Sequence, residues 1–265
     1  MALRHIPPAR IEGHIFPRRN RVNPSRPMIK PDEYEFIHNT MSISGLIDTI
    51  SKLPTDPPSL YLSVDLVGTT GSERSVILAI YVYPTRYTYL MDVDKLAHPA
   101  FTTPGTATPL TLMSIFKNAA IPKVFFDLGY SSYVLRRNWN VTLKGAYDLQ
   151  LVEIPKPLYS HSDPAELRMS FEREKPMTIT QRNQWIKSQE KAIKHIKQCR
   201  YHTRLVFKGI LTSEVKEHCV ENAKLIRDLW SIFDRWFESE WQGRVREATT
   251  TRLLVVRVTS DSPPS

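Results

Sequence analysis

The stretch "LYLSVDLVGTTG", from Leu60 to Gly71, decides how this chain folds. An apolar run ends in Asp65 and then breaks into Gly-Thr-Thr-Gly, which is typical of a buried strand that opens onto a functional site. Two acids placed two residues apart on such a strand line the same face and can hold two metal ions together. Here the first position is Asp65, but the second is Val67. We therefore ask whether this strand end is an active site or the remains of one.

The segments around this strand predict an α/β fold. SLYLSVDL, SVILAIYV and YTYLMDV follow one another as strands rich in β-branched and aromatic residues, and the unbroken apolarity of the first two predicts central strands covered on both faces. Before them, YEFIHNT predicts a short strand and SISGLIDTISKL a helix capped by Ser42. After them, the helices PLTLMSIFKN and SSYVLRRN alternate with the strands PKVFFDL and VTLKGAYDL. This order favours a ribonuclease H-like mixed five-stranded sheet flanked by helices.

The C-terminal part of the chain is predicted to be helical. One helix is expected from about Gln181 to Arg204, with apolar and basic residues on opposite arcs. A second begins near Thr212 and repeats apolar residues at alternating spacings of three and four, which predicts a long buried face. Its apolar positions are Cys219, Ala223, Ile226, Trp230, Phe233 and Phe237.

We divide the chain into three parts. Residues 1–33 form a basic arm rich in Pro and Arg, residues 34–253 a single domain with a polar excursion at about 155–180, and residues 254–265 a tail. The first thirty residues contain six Arg, one Lys and one acid, so a mitochondrial presequence is one interpretation. Five prolines in the same stretch would break an amphipathic helix and favour a flexible basic arm instead.

Composition narrows the function classes. The net charge of +9 and the pI of about 9.5 favour an anionic partner such as nucleic acid. The two cysteines, Cys199 and Cys219, lack the spacing of a disulfide framework or a zinc site, so an intracellular protein of the nucleus or cytoplasm is expected, with the mitochondrion as the alternative. No apolar run reaches the roughly 20 residues of a membrane span, so no membrane association is expected.

Several segments together resemble a known family. They are LYLSVDLVG, TYLMDV, IPKVFFDLGYSSYVL, GAYDLQLVE, FKGILTSEVKEHCVENAKLIRDLW and WQGRVREAT. In this order and with these gaps, from about Tyr34 to Leu253, they resemble the ribonuclease D-like 3'-5' exonuclease domain of the DEDD superfamily, in a form common in fungi. The resemblance implies a ribonuclease H-like fold and a site in which four carboxylates hold two divalent cations.

Three of the acids that the resemblance implies are missing. The Asp-x-Glu of the first strand is represented by Asp65 and Val67, and the acid of the second motif aligns with Ser131. The third motif, Tyr-x-x-x-Asp or His-x-x-x-Asp, is represented by His218 and Asn222. The resemblance therefore implies a vestigial site without confident catalytic residues.

Charge counting indicates what this vestigial site can bind. Two divalent ions bring four positive charges, whereas Asp65 offers one negative charge and is only a weak residual metal candidate. We expect no cofactor, and Mg²⁺ or Mn²⁺ only if an unorthodox site is active. Asp127 and Asp148 are interpreted as structural, because similar aspartates accompany the full ligand set in ordinary members of the family.

The basic helix is the candidate nucleic-acid surface. The segment from Arg182 to Arg204 contains seven cations and a single acid, Glu190. A helical surface with this charge can follow a phosphate backbone without any metal. A merely solvated helical face is the alternative interpretation. The proposed contacts are Lys187, Lys191, Lys194, Arg200 and Arg204.

Three hypotheses follow from the sequence. The first is a non-catalytic exonuclease-fold protein that binds RNA or single-stranded DNA, or that serves as an adaptor in an RNA-processing complex. The second is an active 3'-5' exonuclease with a site built from Asp65, Asp127 and His218. The third is a protein-binding scaffold with an apolar pocket around Val67, Tyr130 and Tyr133. Protein partners are compatible with all three, and the oligomeric state is left open.

Overall fold

A mixed sheet of six strands lies at the centre of the fold. The computed structural model describes residues 34–68, 74–153, 180, 183, 211–236 and 240–261. In the sheet the strands lie in the order β1-β4-β3-β2-β5-β6; β3 is antiparallel to β2 and β4, and the other pairs are parallel. The strands are β1 (Tyr34–Ile37), β2 (Leu60–Gly68), β3 (Arg74–Val82), β4 (Tyr87–Asp92), β5 (Lys123–Phe125) and β6 (Ala146–Asp148).

This arrangement confirms the predicted α/β class. The apolar strands β2 and β3 are central, as their composition predicts. The sheet has six strands and not five, because β1 pairs in parallel with β4 at the edge, with Tyr34 opposite Thr88. The predicted short strand at this place is therefore confirmed, and it belongs to the main sheet.

Eight helices are present in the described residues. The first, α1, begins after Asn39, whose Oδ1 accepts a hydrogen bond from the Ser42 amide at 2.9 Å, so Asn39 is the cap and the predicted cap at Ser42 is wrong. The helices are α1 (Thr40–Ile50), α2 (Val93–Leu96), α3 (Pro99–Thr102), α4 (Leu112–Lys117), α5 (Leu128–Trp139), α6 (Gln150–Glu153), α7 (Ser213–Trp236) and α8 (Trp241–Asp261).

One face of the sheet is covered by the short helices and α5. Leu62, Val64 and Leu78 point to this face and are buried together with apolar residues of α1, α4 and α5. Lys123 is also completely buried, and its Nζ donates hydrogen bonds to the carbonyls of Ile115, Phe116 and Asn118 at 2.7–3.3 Å. The lysine thereby adds a charged donor to carbonyls at the C-terminal end of α4, each of which also accepts a hydrogen bond from one backbone amide.

The opposite face is covered mainly by α7. Tyr61, Ile77 and Ala79 point to this face and pack against Cys219, Ala223, Ile226, Trp230 and Phe233, which confirms the apolar arc predicted for this helix. The sixth predicted position, Phe237, lies outside the described residues. Since side chains alternate along a strand, Ser63, Asp65 and Val67 point toward α7 with Tyr61.

The last helix packs against α5 and β6. α8 continues to Asp261, so the boundary placed between residues 253 and 254 falls within this helix. Leu254 and Val255 extend the helical pattern, and the first helix-breaking residue is Pro263. No helix among the described residues is long and apolar enough to cross a membrane.

Candidate functional site

Asp65 lies where β2 faces α7. The strand β5 pairs with the first residues of β2, with Leu62 opposite Phe125, so α5, which follows β5, begins beside the later part of β2. The helix α7 crosses the face on which Asp65 points. The fold therefore brings the strand and the two helices that carry the predicted site residues to one end of the sheet.

Three uncharged groups donate hydrogen bonds to the Asp65 carboxylate. Ser63 Oγ donates to Oδ2 at 2.8 Å, and Asn222 Nδ2 donates to Oδ1 at 2.9 Å. The Cys219 thiol donates a third hydrogen bond. Asp65 and Asn222 are 157 positions apart in the sequence, and the fold brings their side chains into contact.

Asn222 also contacts the histidine of the same motif. Its Nδ2 lies 3.3 Å from Nε2 of His218, one turn earlier on the same face of α7. His218 is buried with 6% of its surface exposed. A neutral imidazole accepts this hydrogen bond if its proton is on Nδ1, and one amide group then bridges Asp65 and His218.

Burial governs the ionisation of this cluster. Desolvation raises the pKa of Asp65, although His218 and the hydrogen bonds from Ser63, Asn222 and Cys219 act in the opposite direction. Desolvation also lowers the pKa of His218, against the pull of Asp65 and Glu221, and it raises the pKa of the Cys219 thiol. The cluster therefore favours a neutral histidine and a protonated thiol.

Val67 and Ser131 are the two residues that were predicted to stand in place of the other missing acids. Val67 is 5% exposed and packs in the core on the α7 face, opposite Ser75 of β3. Ser131 is 3% exposed in the second turn of α5. Both positions are thus buried and carry no charge.

Asp127 and Asp148 have structural partners. Asp127 caps α5, with its Oδ1 accepting from the Tyr130 amide at 3.4 Å. The fully buried Asp148 accepts hydrogen bonds from the amides of Asp127, Leu128 and Gln150 at 3.0–3.1 Å and forms an ion pair with Arg252 of α8. Burial raises the pKa of Asp148, while Arg252 acts to lower it. The two aspartates hold α5 and α8 at the end of the sheet.

The pocket predicted around Val67, Tyr130 and Tyr133 is not formed by these residues. Val67 packs in the core on the α7 face, whereas Tyr130 and Tyr133 pack against the core on the opposite face of the sheet. The Tyr133 hydroxyl accepts a hydrogen bond from Arg137 at 2.5 Å. The prediction failed because it placed α5 and β2 side by side without assigning the faces of the sheet.

A two-metal centre does not fit this donor set. Both oxygens of Asp65 already accept hydrogen bonds from neutral groups, and Asn222 presents its amide nitrogen, which is no metal ligand, to the carboxylate. Among the described residues, no three side chains of His, Cys, Asp or Glu are arranged to hold a metal ion. We therefore derive no chemical step that involves a metal.

Sequence reasoning missed several partners of Asp65 and Asp148. Ser63 could have been found from its position two residues before Asp65, which places both side chains on one face of β2. Nothing in the sequence pairs Asp148 with Arg252 or Thr249, which lie about 100 residues away. The predicted nucleic-acid contacts of the basic helix lie outside the described residues. They are Lys187, Lys191, Lys194, Arg200 and Arg204, and the same holds for Cys199.

Comparison with solved structures identifies the fold. Trypanosoma brucei RNase D in complex with the RNA U12 matches with a TM-score of 0.62 and 14% identity over 88% of this chain and 75% of that chain. T. brucei RNase D without RNA matches with a TM-score of 0.60 and 14% identity over 88% and 78% of the two chains. Escherichia coli RNase D, an exoribonuclease involved in structured RNA processing, matches with a TM-score of 0.53 and 12% identity over 85% of this chain and 51% of that chain.

Comparison of the sequence alone gives no relative. No known protein family and no curated protein matches the chain. At identities of 12–14% the structural likeness concerns the backbone and not the site residues. The chain has the ribonuclease H-like fold of the RNase D exonucleases.

Proposed function

We propose that this chain is a catalytically degenerate 3'-5' exonuclease-fold protein that binds RNA or single-stranded DNA. The observation that carries the proposal is the hydrogen bond from Asn222 to Asp65. A working site of this type needs a carboxylate at each of these places and cations between them. Here the amide takes the place of the cation and satisfies the carboxylate directly.

Nucleic-acid binding is supported by charge and by the structural likeness. The chain has a net charge of +9, and T. brucei RNase D, which shares its fold, is solved with RNA. A protein that keeps a basic surface binds phosphates through counterion release, which requires no catalytic metal. An adaptor role in an RNA-processing complex is compatible with the same surface.

The alternative of an active exonuclease requires Asp65, Asp127 and His218 to act together. Asp127 caps α5 through its side chain, and His218 is in contact with Asn222. Burial lowers the pKa of His218, so the imidazole is a weak base that favours its neutral form at neutral pH. These contacts favour the degenerate interpretation.

The first experiment incubates the full chain with 5'-labelled single-stranded RNA and DNA and Mg²⁺ or Mn²⁺, with binding followed in the same samples. We expect intact substrate and a complex that weakens with salt. A ladder of shortened products that disappears in Asp65→Ala would overturn the proposal in favour of an active enzyme. Intact and unbound substrate would instead favour a protein-binding scaffold.

A charge-reversal experiment tests the binding surface. Lys187→Glu, Lys191→Glu and Lys194→Glu together should weaken binding and reduce the salt slope by about 0.7 for each phosphate that the variant no longer neutralises. The matched control reverses the charge of three exposed cations elsewhere in the described residues, so its net charge changes by the same amount. Its substitutions are Lys52→Glu, Lys117→Glu and Arg244→Glu. Equal reductions in both variants would show that net charge alone attracts the nucleic acid and would contradict a defined surface.

A further inference from the structure

A cavity of about 410 Å³ lies between α5, the segment of residues 141–146 and α8. Its volume falls within the range of about 300–1,000 Å³ that is usual for small-molecule sites. None of Asp65, Val67, Ser131, His218 and Asn222 lines it. The cavity is therefore separate from the cluster around Asp65.

Positive charge dominates the cavity. Arg136, Lys144 and Arg246 line it, and no acidic residue is among its lining residues. They come from α5, from the segment before β6 and from α8, so the tertiary fold brings them together. Guanidinium groups offer paired N–H donors that match the oxygens of a phosphate.

One of these cations is held in place by an aromatic residue. Arg246 donates a hydrogen bond to the Tyr147 hydroxyl, and its guanidinium carbon lies 4.9 Å from the centre of the Tyr147 ring. An arginine fixed in this way loses less conformational freedom when an anion binds. Arg246 is thus preorganised for a ligand.

The backbone beside the cavity is also fixed. Gly145 has φ +61°, and a Cβ at this position would lie 2.4 Å from the carbonyl oxygen of Ala119. Both residues line the cavity, so the segment before β6 is packed tightly against the loop before β5. A side chain at position 145 would push this wall out of place.

Apolar side chains form the rest of the wall. Leu143 and Leu253 line the cavity, and Leu254 at its edge is 58% exposed. Together with Leu143 and Leu253 it gives the cavity an apolar side that a ligand with an apolar body can contact. The cavity thus combines a cationic part with an apolar part.

We propose that this cavity binds a small phosphate monoester with an apolar body. The phosphate lies among Arg136, Lys144 and Arg246, and the apolar body lies against Leu253 and Leu254. The positive charges of Lys144 and Arg246 are matched better by the roughly two negative charges of a phosphate monoester than by one carboxylate. The site is a second one, and it does not depend on the proposed nucleic-acid binding.

The experiment is calorimetric titration of the full chain with 1-naphthyl phosphate at low salt. We expect saturable binding at one site, at least about tenfold tighter than inorganic phosphate, 1-naphthol or 1-naphthoate. The first two compounds each lack one half of the ligand, and 1-naphthoate replaces the phosphate by a carboxylate. Absence of saturable binding, or affinity for 1-naphthoate equal to that for the phosphate, would overturn the proposal.

Variants locate the binding. Lys144→Glu and Leu254→Glu add negative charge at exposed positions of the cavity and should each weaken binding at least about tenfold while the circular dichroism spectrum is unchanged. Met41→Glu is the matched control, because Met41 is 84% exposed on α1 and does not line the cavity. Equal affinities in the control and in the two cavity variants would place the ligand elsewhere and contradict the proposal.

Discussion

Two carboxylates at the same sheet, the fully buried Asp148 and the partly exposed Asp65, are satisfied in different ways. Asp148 has a charged partner, Arg252, in addition to three backbone amides. Asp65 accepts hydrogen bonds from Ser63, Asn222 and Cys219, all of them neutral. Burial raises the pKa of both carboxyl groups, and a nearby basic residue opposes the effect in each case, His218 at Asp65 and Arg252 at Asp148.

The difference separates a structural carboxylate from the candidate functional one. A buried ion pair with additional hydrogen bonds fixes the positions of its elements, here β6, α5 and α8. Asp65 is instead held by hydrogen bonds from uncharged groups, and the histidine beside it, His218, has a pKa that burial lowers. Asp65 is thus satisfied through the Ser63 hydroxyl and the Asn222 amide, whereas Asp148 is satisfied through an ion pair.

The largest effect is expected at Asp148. Asp148→Ala leaves Arg252 without its anion, and the side chain of Arg252 is only 12% exposed, so the free energy of unfolding should fall by about 3–5 kcal/mol. Urea unfolding at pH 7 measures the decrease. The control is Asp228→Ala, because the surface pair of Asp228 and Arg227 should contribute no more than about 1 kcal/mol. Equal decreases in both variants would remove the structural role assigned to Asp148.

Restoring the missing acids should allow the site around Asp65 to bind metal ions. The triple variant Val67→Glu, Ser131→Asp and Asn222→Asp should be unstable in chelator and gain about 2.7 kcal/mol when Mn²⁺ is present at 100 times its dissociation constant. Thermal melting with and without Mn²⁺ measures the gain. The unaltered chain is the control and should not respond. A triple variant that does not respond to Mn²⁺ would mean that the alignment of the motifs is wrong.

A single exchange at Asn222 should have a smaller effect. Asn222→Asp places a second carboxylate next to Asp65, and the like charges together with the missing donor should cost about 1–3 kcal/mol. The exchanged pair, Asp65→Asn with Asn222→Asp, has one amide and one acid again and should recover part of the stability. Urea unfolding of both single variants and the exchanged pair gives the coupling energy. A coupling energy near zero would show that the hydrogen bond between the two side chains contributes nothing.

The smallest effect is expected from Asp65→Asn. Because the pKa of Asp65 is raised above its ordinary value of 3.8, the folded state favours the protonated form. Its contribution to stability is present below that value and is lost as the pH rises through the raised pKa. Asp65→Asn should therefore melt at a higher temperature than the unaltered chain at pH 7, with the difference shrinking toward pH 4. A constant difference across this range would contradict the raised pKa.

The sequence predicted those features of the fold that depend on local pattern. Apolar spacing placed the buried face of α7 correctly from Cys219 to Phe233, and continuous apolarity identified β2 and β3 as central. The cap at Asn39 was missed because Ser42, three residues later, has an equally suitable side chain.

The site could be predicted only in part. The approach of Asp65 and Asn222 was expected from the resemblance to an enzyme family, since no local pattern links residues 157 positions apart. The burial of Lys123, a residue of β5 whose side chain reaches the end of α4, was not predicted. A lysine in a short strand normally indicates an exposed edge of a sheet. Burial lowers the pKa of this lysine to about 7, which no pattern of neighbouring residues indicates.

The bridge that Asn222 makes between Asp65 and His218 has an evolutionary consequence. A change of Asn222 alone to aspartate sets two carboxylates against each other, and an acid at position 67 or 131 alone enters a buried site. Each first step toward a metal-binding site therefore lowers stability before the other steps make it useful. A chain with this arrangement reaches a set of four carboxylates only through less stable intermediates, and selection for stability opposes that path.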